Sequence, residues 1–410
     1  MKVLVIGKGG REHAIVHAVS RSKRVNKLYA APGNPGMQAL AECVNISDSD
    51  VDGLLQFAKE NAIDLTIVGP EATLALGIVD AFQKEGCKIF GPTKDATQVE
   101  SSKDFSKQIM MKYGIPTASY ATFDNYDAAV NYVERQGLPI VIKEDGLKAG
   151  KGVSVAFTMD DALQALDIAF SIEHNKVVIE EYLEGFEFSL ICFVHEDLVL
   201  PMEIAQDHKC AYDEDKGPNT GGMGVYSPVR TITKEMVDEA MNNIMVPMAK
   251  AMVKEGHPFT GFLYGGLMLT KNGVKTIEFN ARLGDPEAEV ILPRLKTDFL
   301  DVIENIMNHQ KSELEWDEDV TLGVVMASTG YPASSTKGKK ITGLDQVDGY
   351  VFHMGTKQQE EQIVTDGGRV LLVLAKAKTL EEAYEKAYAD VHKIHCDALF
   401  YRNDIGKKDM

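Results

Sequence analysis

The stretch Thr276-Ile277-Glu278-Phe279-Asn280-Ala281-Arg282 carries three groups that could do chemistry together. Apolar and polar residues alternate, the pattern of a half-buried strand. Alternation puts Glu278, Asn280 and Arg282 on one face and Ile277 and Phe279 on the other. That face offers an anionic oxygen, a neutral amide oxygen and a guanidinium. Hard oxygen ligands suit Mg²⁺. A guanidinium beside them can hold a phosphate or carboxylate in its fork. Gly284-Asp285-Pro286 then breaks the strand, and Glu287-Ala288-Glu289 follows. A solvated strand face would show the same alternation, so the rest of the chain decides.

Two further stretches could handle anions, and two more stand out for their polar content. Gly7-Lys8-Gly9-Gly10-Arg11-Glu12-His13 follows the apolar strand Lys2–Ile6 and precedes a helix over 14–19. Glycines there let the backbone approach a phosphate, and a helix N-terminus supplies free N–H groups. A dinucleotide fingerprint would need a third glycine where Glu12 stands, and an acid ending the strand Lys27–Ala31. Both are missing, which argues against nicotinamide or flavin. Lys143 ends the apolar run Pro139–Lys143, and Glu144-Asp145-Gly146-Leu147-Lys148-Ala149-Gly150-Lys151-Gly152 follows. A glycine-rich, lysine-bearing loop between two strands can fold over a triphosphate. It is not a P-loop, since no Gly-Lys-Ser/Thr ends it and no helix follows. Val177-Val178-Ile179-Glu180-Glu181-Tyr182-Leu183-Glu184-Gly185 runs from an apolar strand into an acidic connector, and Glu187 opens the next strand. Finally, Asp213–Gly224 is rich in Gly, Asp and Asn; a loop of that length is disordered or functional.

The elements that position these groups follow from the apolar rhythm. Short strands at 2–6, 27–31, 65–68 and 88–90 alternate with helical patterns near 51–61 and 74–85. That alternation implies a parallel, doubly wound sheet, with ligands beyond the carboxyl ends of its strands. Ser101–Lys107 caps a helix ending at Tyr113. A strand is expected over 198–205, a long helix over 233–254, and a hairpin of 265–270 with 274–280 turning at Asn272-Gly273. A helix over 298–308 and an acidic linker at 313–319 come next. The remainder reads as an α+β unit with strands at 322–328 and 369–377, a helix at 380–393 and no evident chemistry.

Bulk properties bound the function. A chain of 410 residues is too long for one core. A net charge of −18 argues against a nucleic-acid surface but not against small anions. Five widely spaced cysteines, without Cys-x-x-Cys, fit reduced thiols in the cytoplasm. No apolar run reaches membrane-spanning length, and no signal-peptide core is evident. His392 and His395 are a pair too small for a metal set.

The order of these motifs resembles the ATP-grasp superfamily and, within it, the glycinamide ribonucleotide synthetase family. The carrying residues are Gly7–Ala14, Lys103, Lys143–Gly152, Glu180–Leu183, Glu187, Gln206–Lys209 with Gly217–Gly224, Glu278-x-Asn280 and Arg282–Glu287. The resemblance implies an α/β and α+β multidomain fold: a doubly wound N-terminal substrate domain (1–100), a two-lobed ATP-grasp region (101–312, with an ATP-lid lobe at 117–193) and a small C-terminal α+β domain (320–410). It implies that Lys103 and Lys143 meet the nucleotide phosphates, under a cover bearing Lys148, Gly150 and Gly152. Glu180, Tyr182 and Leu183 would border adenine, and Glu187 would hold ribose. Glu278 and Asn280 would bind Mg²⁺ or Mn²⁺, with Arg282 and Lys143 catalytic. Substrate contacts would come from Gly9, Gly10, Arg11, Glu12, Asp207, Lys209, Asp213, Gly221, Gly222, Met223, Arg282, Asp285, Pro286 and Glu287. The chain departs from many ATP-grasp enzymes in having no acid on 265–270, the strand expected to face Glu278. The implied activity is ATP-dependent ligation of glycine to 5-phosphoribosylamine through glycyl phosphate, in purine synthesis. The alternative is another ATP-grasp carboxylate–amine ligase or a carboxylase with a different acid. The partners implied are small molecules, without nucleic acid or membrane, and the chain is expected to be a monomer, with a weak dimer as the alternative.

Overall fold

The computed structural model describes residues 1–148, 152–172 and 174–410. Its N-terminal part is a five-stranded parallel sheet in which Lys2–Gly7 lies central, between Lys27–Pro32 and Leu65–Val68. Val3–Ile6 is fully buried, because helices cover both faces and no position can be polar. The helix after the first strand begins at Gly10 and runs to Ser20, earlier than the apolar run suggests, so Arg11, Glu12 and His13 lie in its first turns. The expected helix over 74–85 is two, Glu71–Ala75 and Ile78–Lys84. Gly77 separates them with a φ of +88°.

Two antiparallel sheets follow. Tyr120–Phe123, Ile140–Glu144, Val153–Ala156 and Val177–Glu181 form a four-stranded lid sheet. Phe186–His195, placed by the sequence in the lid lobe, instead pairs with Thr260–Thr270 in a central four-stranded sheet. Phe188–Val194 is buried throughout, which requires cover on both faces. The strand expected over 198–205 stops at Pro201. The long helix expected over 233–254 is Lys234–Ala240 and Val246–Lys254 joined by a π turn at Met241–Met245. Pro247 has no N–H to give the helix at that junction. In the hairpin, Thr270 pairs with Gly273, so Lys271 and Asn272 form the turn. The positive φ falls on Gly273, at +98°.

The polar loop over 213–224 is largely structured. Cys210–Tyr212 pairs with Lys216–Asn219, and Gly224–Ser227 pairs with Val320–Ser328 of the C-terminal sheet. Gln206–Asp207 adds to that sheet's edge, so two of its strands come from the middle of the chain. The acidic linker is pinned: Lys296 N–H donates to Glu315 O, and Asp317 N–H to Arg294 O, both at 2.8 Å.

The first and last parts of the chain meet at a buried histidine cluster. His13 Nδ1 accepts from His353 N–H at 3.0 Å, and its Nε2 lies 3.2 Å from Tyr350 OH. Phe352 packs edge-on against the His13 ring. Nδ1 must therefore be unprotonated, since a second N–H would meet the backbone donor. Burial pushes His13 down to about 3, and His17 and His353 to about 4. For a base with a lowered folded pKa, the unfolded chain binds the extra proton as pH falls below about 6.5. Stability is present above that pH and is lost on acidification toward the folded values. We expect urea unfolding at pH 5 to show a loss on the order of 2 kcal/mol per neutral histidine relative to pH 7. Unfolding free energies of His13→Asn that keep the full pH dependence would refute this.

Candidate functional site

A cavity of about 510 Å³ lies between the lid sheet and the central sheet, with Arg369 of the C-terminal sheet and Arg11 and Glu71 of the N-terminal part also in its wall. Glu278 and Asn280 reach it from the end of Gly273–Asn280, and Arg282 from just beyond. Register shifts beside Ile277, so Ile277 lines the cavity as well, against strict alternation. Glu278 faces Gly266, so the facing strand indeed offers no acid there. Burial alone would raise the Glu278 pKa, but Lys143, Lys209, Lys103 and Arg282 outweigh it and hold the carboxylate ionised.

Arg282 is held from several sides. Its Nη2 donates to Asn280 Oδ1 at 2.7 Å and lies 2.9 Å from Glu100 Oε1. Its Nε is 3.3 Å from Glu71 Oε2. Glu100 also accepts from Ala281 N–H at 2.7 Å, which fixes the chain as it leaves the strand. Burial raises the Glu71 pKa, yet Arg282 and Arg11 drive it down to about 2. The planar guanidinium thus bridges the N-terminal unit and the central sheet.

On the lid side, Lys143 Nζ is 3.0 Å from Glu180 Oε1 and donates to Ile277 O at 3.0 Å. Lys107 Nζ lies 2.9 Å from Glu180 Oε2 and donates to Thr117 Oγ1 at 2.7 Å. Glu180 is therefore shared by two lysines in a nearly dry site; the three are between 2% and 4% exposed. Such a triad persists only because each charge has a partner. Lys103 Nζ donates to Gly146 O at 2.9 Å, which ties the cover loop to the helix. Tyr182, Leu183, Glu187, Lys148 and Gly152 also line the cavity. Gly150 lies outside the described residues.

At the far end are Arg11, Lys209, Gly221, Asp285 and Glu287. Glu287 Oε1 accepts from Ser189 Oγ at 2.7 Å and Tyr264 OH at 2.9 Å. Arg369 donates to Gly221 O at 2.7 Å and Asp285 O at 2.8 Å.

Eight sequence-proposed residues are not among those lining this cavity: Gly9, Gly10, Glu12, Asp207, Asp213, Gly222, Met223 and Pro286. Each has a physical reason. Glu12 folds back so that its carboxylate accepts from Gly9 N–H at 2.7 Å, filling the turn expected to take a phosphate. At Gly10, a Cβ would lie 2.2 Å from Glu289 Oε1, so that backbone is already covered. Asp207 is buried against Lys209 Nζ at 2.6 Å. Gly222 packs on Asp207 with a φ of +117° and no room for a Cβ. Met223 is fully buried, and its N–H donates to His208 O. Asp213 turns to the C-terminal tail and accepts from Asn403 N–H at 2.7 Å. Pro286 packs its Cδ toward Gly222.

Three comparisons bear on this arrangement. The phosphoribosylglycinamide synthetase models match along the chain: the N domain at 1–100, the ATP-grasp (A) domain at 101–288 and the C domain at 321–408. The chain belongs to the phosphoribosylglycinamide synthetase family. A relative from Halalkalibacterium halodurans, named phosphoribosylamine–glycine ligase, is 54% identical over 415 residues, covering 100% of this chain and 97% of that protein. One of the same name from Lactococcus lactis is 49% identical over 410 residues, covering both chains fully. A crystal structure of a phosphoribosylamine–glycine ligase from Thermotoga maritima superposes with a TM-score of 0.86 at 30% identity, covering 99% of this chain and 100% of that one.

Family membership makes the chain an ATP-dependent ligase of the ATP-grasp type, and family enzymes use a divalent metal. The donor set fits such an ion: a carboxylate and an amide oxygen side by side are hard ligands. Within this family frame, the cavity contains three charged residues that the sequence reading missed. Lys107 is one helical turn from Lys103, a spacing that could have flagged it. Glu71 is not among them: Gly69-Pro70-Glu71 closes the strand Leu65–Val68, at the strand ends where a ligand is expected, and it lines the cavity. Glu100 had no signal. Arg369 sits in the C-terminal unit, where the sequence showed no chemistry at all.

Proposed function

We propose that this cavity joins glycine to 5-phosphoribosylamine, releasing ADP and phosphate and forming glycinamide ribonucleotide in purine synthesis. The observation that carries the reading is the convergence of Lys143, Glu278, Asn280 and Arg282 on one cavity. That set suits transfer of a terminal phosphoryl group to a carboxylate. The curated relatives' name states the substrates of those proteins.

A carboxylate is a poor acceptor for an amine, because negative charge shields its carbonyl carbon. A glycine carboxylate oxygen attacks the γ-phosphorus in line, and the bond to ADP breaks. The ribosylamine nitrogen then attacks the carbonyl carbon of glycyl phosphate, expels phosphate and loses a proton. The first step needs positioning and charge neutralisation rather than a protein nucleophile. Lys103 and Lys143 would hold phosphate oxygens, Arg282 would meet the transferring group, and Glu278 with Asn280 would hold Mg²⁺ or Mn²⁺. A bound divalent ion neutralises the phosphates. Glu180, Tyr182 and the Leu183 backbone border adenine, with Glu187 toward ribose. Lys148 and Gly152 belong to a cover that keeps water from the labile acyl phosphate. Arg11 and Arg369 supply the positive charge for the substrate phosphate at the far end, beside Lys209, Gly221 and Glu287. We divide the chain at 1–100, 101–312 and 320–410 on this basis. The free cysteines fit a cytoplasmic setting, and no described helix is long and apolar enough to cross a membrane.

A coupled ADP-release assay tests the reading, with ATP, magnesium, glycine and freshly formed phosphoribosylamine. ADP release should require both cosubstrates; equal release with another acid would move the chain to a different ligase. Arg11→Ala should raise the KM for the ribosylamine by about tenfold or more, the worth of a lost charged hydrogen bond. The KM for ATP should change less, and the reverse ranking would remove Arg11 from the phosphate end.

A further inference from the structure

At the opposite end of the central sheet, three potential metal ligands meet. Phe186–His195 ends in His195, Glu196 opens the following turn, and His309 lies just past the helix Phe299–Met307. One donor atom from each of His195, Glu196 and His309 lies within 4.8 Å of the other two. His309 Nε2 is 3.0 Å from Glu196 Oε2, and the two histidine rings are edge-on with centroids 4.6 Å apart. Tetrahedral zinc ligands sit about 3.3 Å apart, so small side-chain rotations close the set.

Two details point the same way. His195 Nδ1 is hydrogen-bonded to Thr260 Oγ1 at 2.8 Å, which leaves Nε2 for an outside ligand. Metal-binding histidines use their second nitrogen in this manner, to fix ring orientation and tautomer. Glu196 and His309 are also both in the left-handed region, with φ of +55° and +56°, although neither is glycine. The Glu196 backbone is anchored there, because its N–H donates to Phe259 O at 2.8 Å.

We propose that His195, Glu196 and His309 form a second metal site, specific for a borderline transition ion such as Zn²⁺. Two imidazoles with one carboxylate select against Mg²⁺ and Ca²⁺, which prefer all-oxygen sets. Three protein ligands leave a fourth position for water. The site is structural: it ties the end of one helix to the end of a strand more than a hundred residues earlier. It stands apart from the chemistry, since Glu187, at the other end of the same strand, lines the cavity about 27 Å away.

The test uses the full chain, stripped of metal and then saturated with Mg²⁺ so that oxygen-ligand sites are filled. Zn²⁺ is titrated against a chromophoric chelator, and Co²⁺ is titrated in parallel. The wild type should take up one Zn²⁺ per chain at micromolar concentration or below, and Co²⁺ should give the visible absorption of a four-coordinate site. His309→Gln and His195→Gln should each weaken uptake by at least about tenfold and abolish that absorption. Thr260→Val should weaken it by about tenfold through the lost orienting bond. Ligase activity should be unchanged in all three. Equal Zn²⁺ uptake by wild type and His309→Gln would overturn the proposal, as would no uptake by wild type below millimolar. His309 is exposed, so its variant keeps the test available if His195→Gln fails to fold.

Discussion

Arg282→Lys is expected to lower ligase turnover on the order of 100-fold while leaving the protein folded. The guanidinium is placed by contacts that an ammonium cannot reproduce together. It donates to Asn280 Oδ1 at 2.7 Å and, on the same nitrogen, meets Glu100 at 2.9 Å, while Nε faces Glu71 at 3.3 Å. Lysine supplies one point charge and satisfies only part of this set. The positive charge stays, so any loss reports geometry at the transferring phosphoryl group. Arg282→Ala is a poorer experiment. Burial already raises the Glu100 pKa despite Arg282, and removing the cation would strand that carboxyl. A buried charge left without its partner costs about 3–5 kcal/mol, so lost turnover would be confounded with unfolding. Single-turnover phosphate release separates the steps: a lysine variant with normal release would take Arg282 out of phosphoryl transfer.

Glu278→Gln should lower turnover by about 100-fold to 1000-fold and raise the magnesium requirement at least about tenfold. Glutamine keeps the shape and one oxygen but removes the charge. That charge is held by Lys143, Lys209, Lys103 and Arg282, which outweigh the burial penalty. Neutralising it should not unfold the chain, because those cations retain other partners: Lys143 keeps Glu180 and Ile277 O, and Arg282 keeps Glu71 and Glu100. The metal dependence is the decisive reading. A structural glutamate would change the melting temperature and leave the magnesium titration alone. A variant with reduced turnover but an unchanged magnesium midpoint would exclude Glu278 as a ligand.

Much of the fold was legible because burial writes itself into composition. Val3–Ile6 reads as a strand covered on both faces, and it is one. Ser102 and Gly114 bound their helix as cap chemistry requires: Ser102 Oγ accepts from Phe105 N–H, and Gly114 takes a φ of +65°. Strands such as Gln206–Asp207 and Gly224–Ser227 were not legible. They are two to four residues long and owe their existence to partners elsewhere in the chain: Gln206–Asp207 pairs with Tyr226 and Val225, and Gly224–Ser227 pairs with Val320–Ser328, about a hundred residues onward. No local periodicity can report that.

The candidate site divides along the same line. The sequence by itself determined the family, the parallel N-terminal sheet, and the pairing of Glu278 with Asn280 on one strand face, because these depend on neighbours in the chain. Only the tertiary structure decided that Glu71 and Glu100 clamp Arg282, that Lys107 shares Glu180 with Lys143, and that Arg369 closes the far end. It also decided that the Glu12 carboxylate accepts from Gly9 N–H in the first glycine turn. The reason is electrostatic: a buried charge needs an opposite charge within a few ångströms, and folding draws that partner from wherever the chain returns.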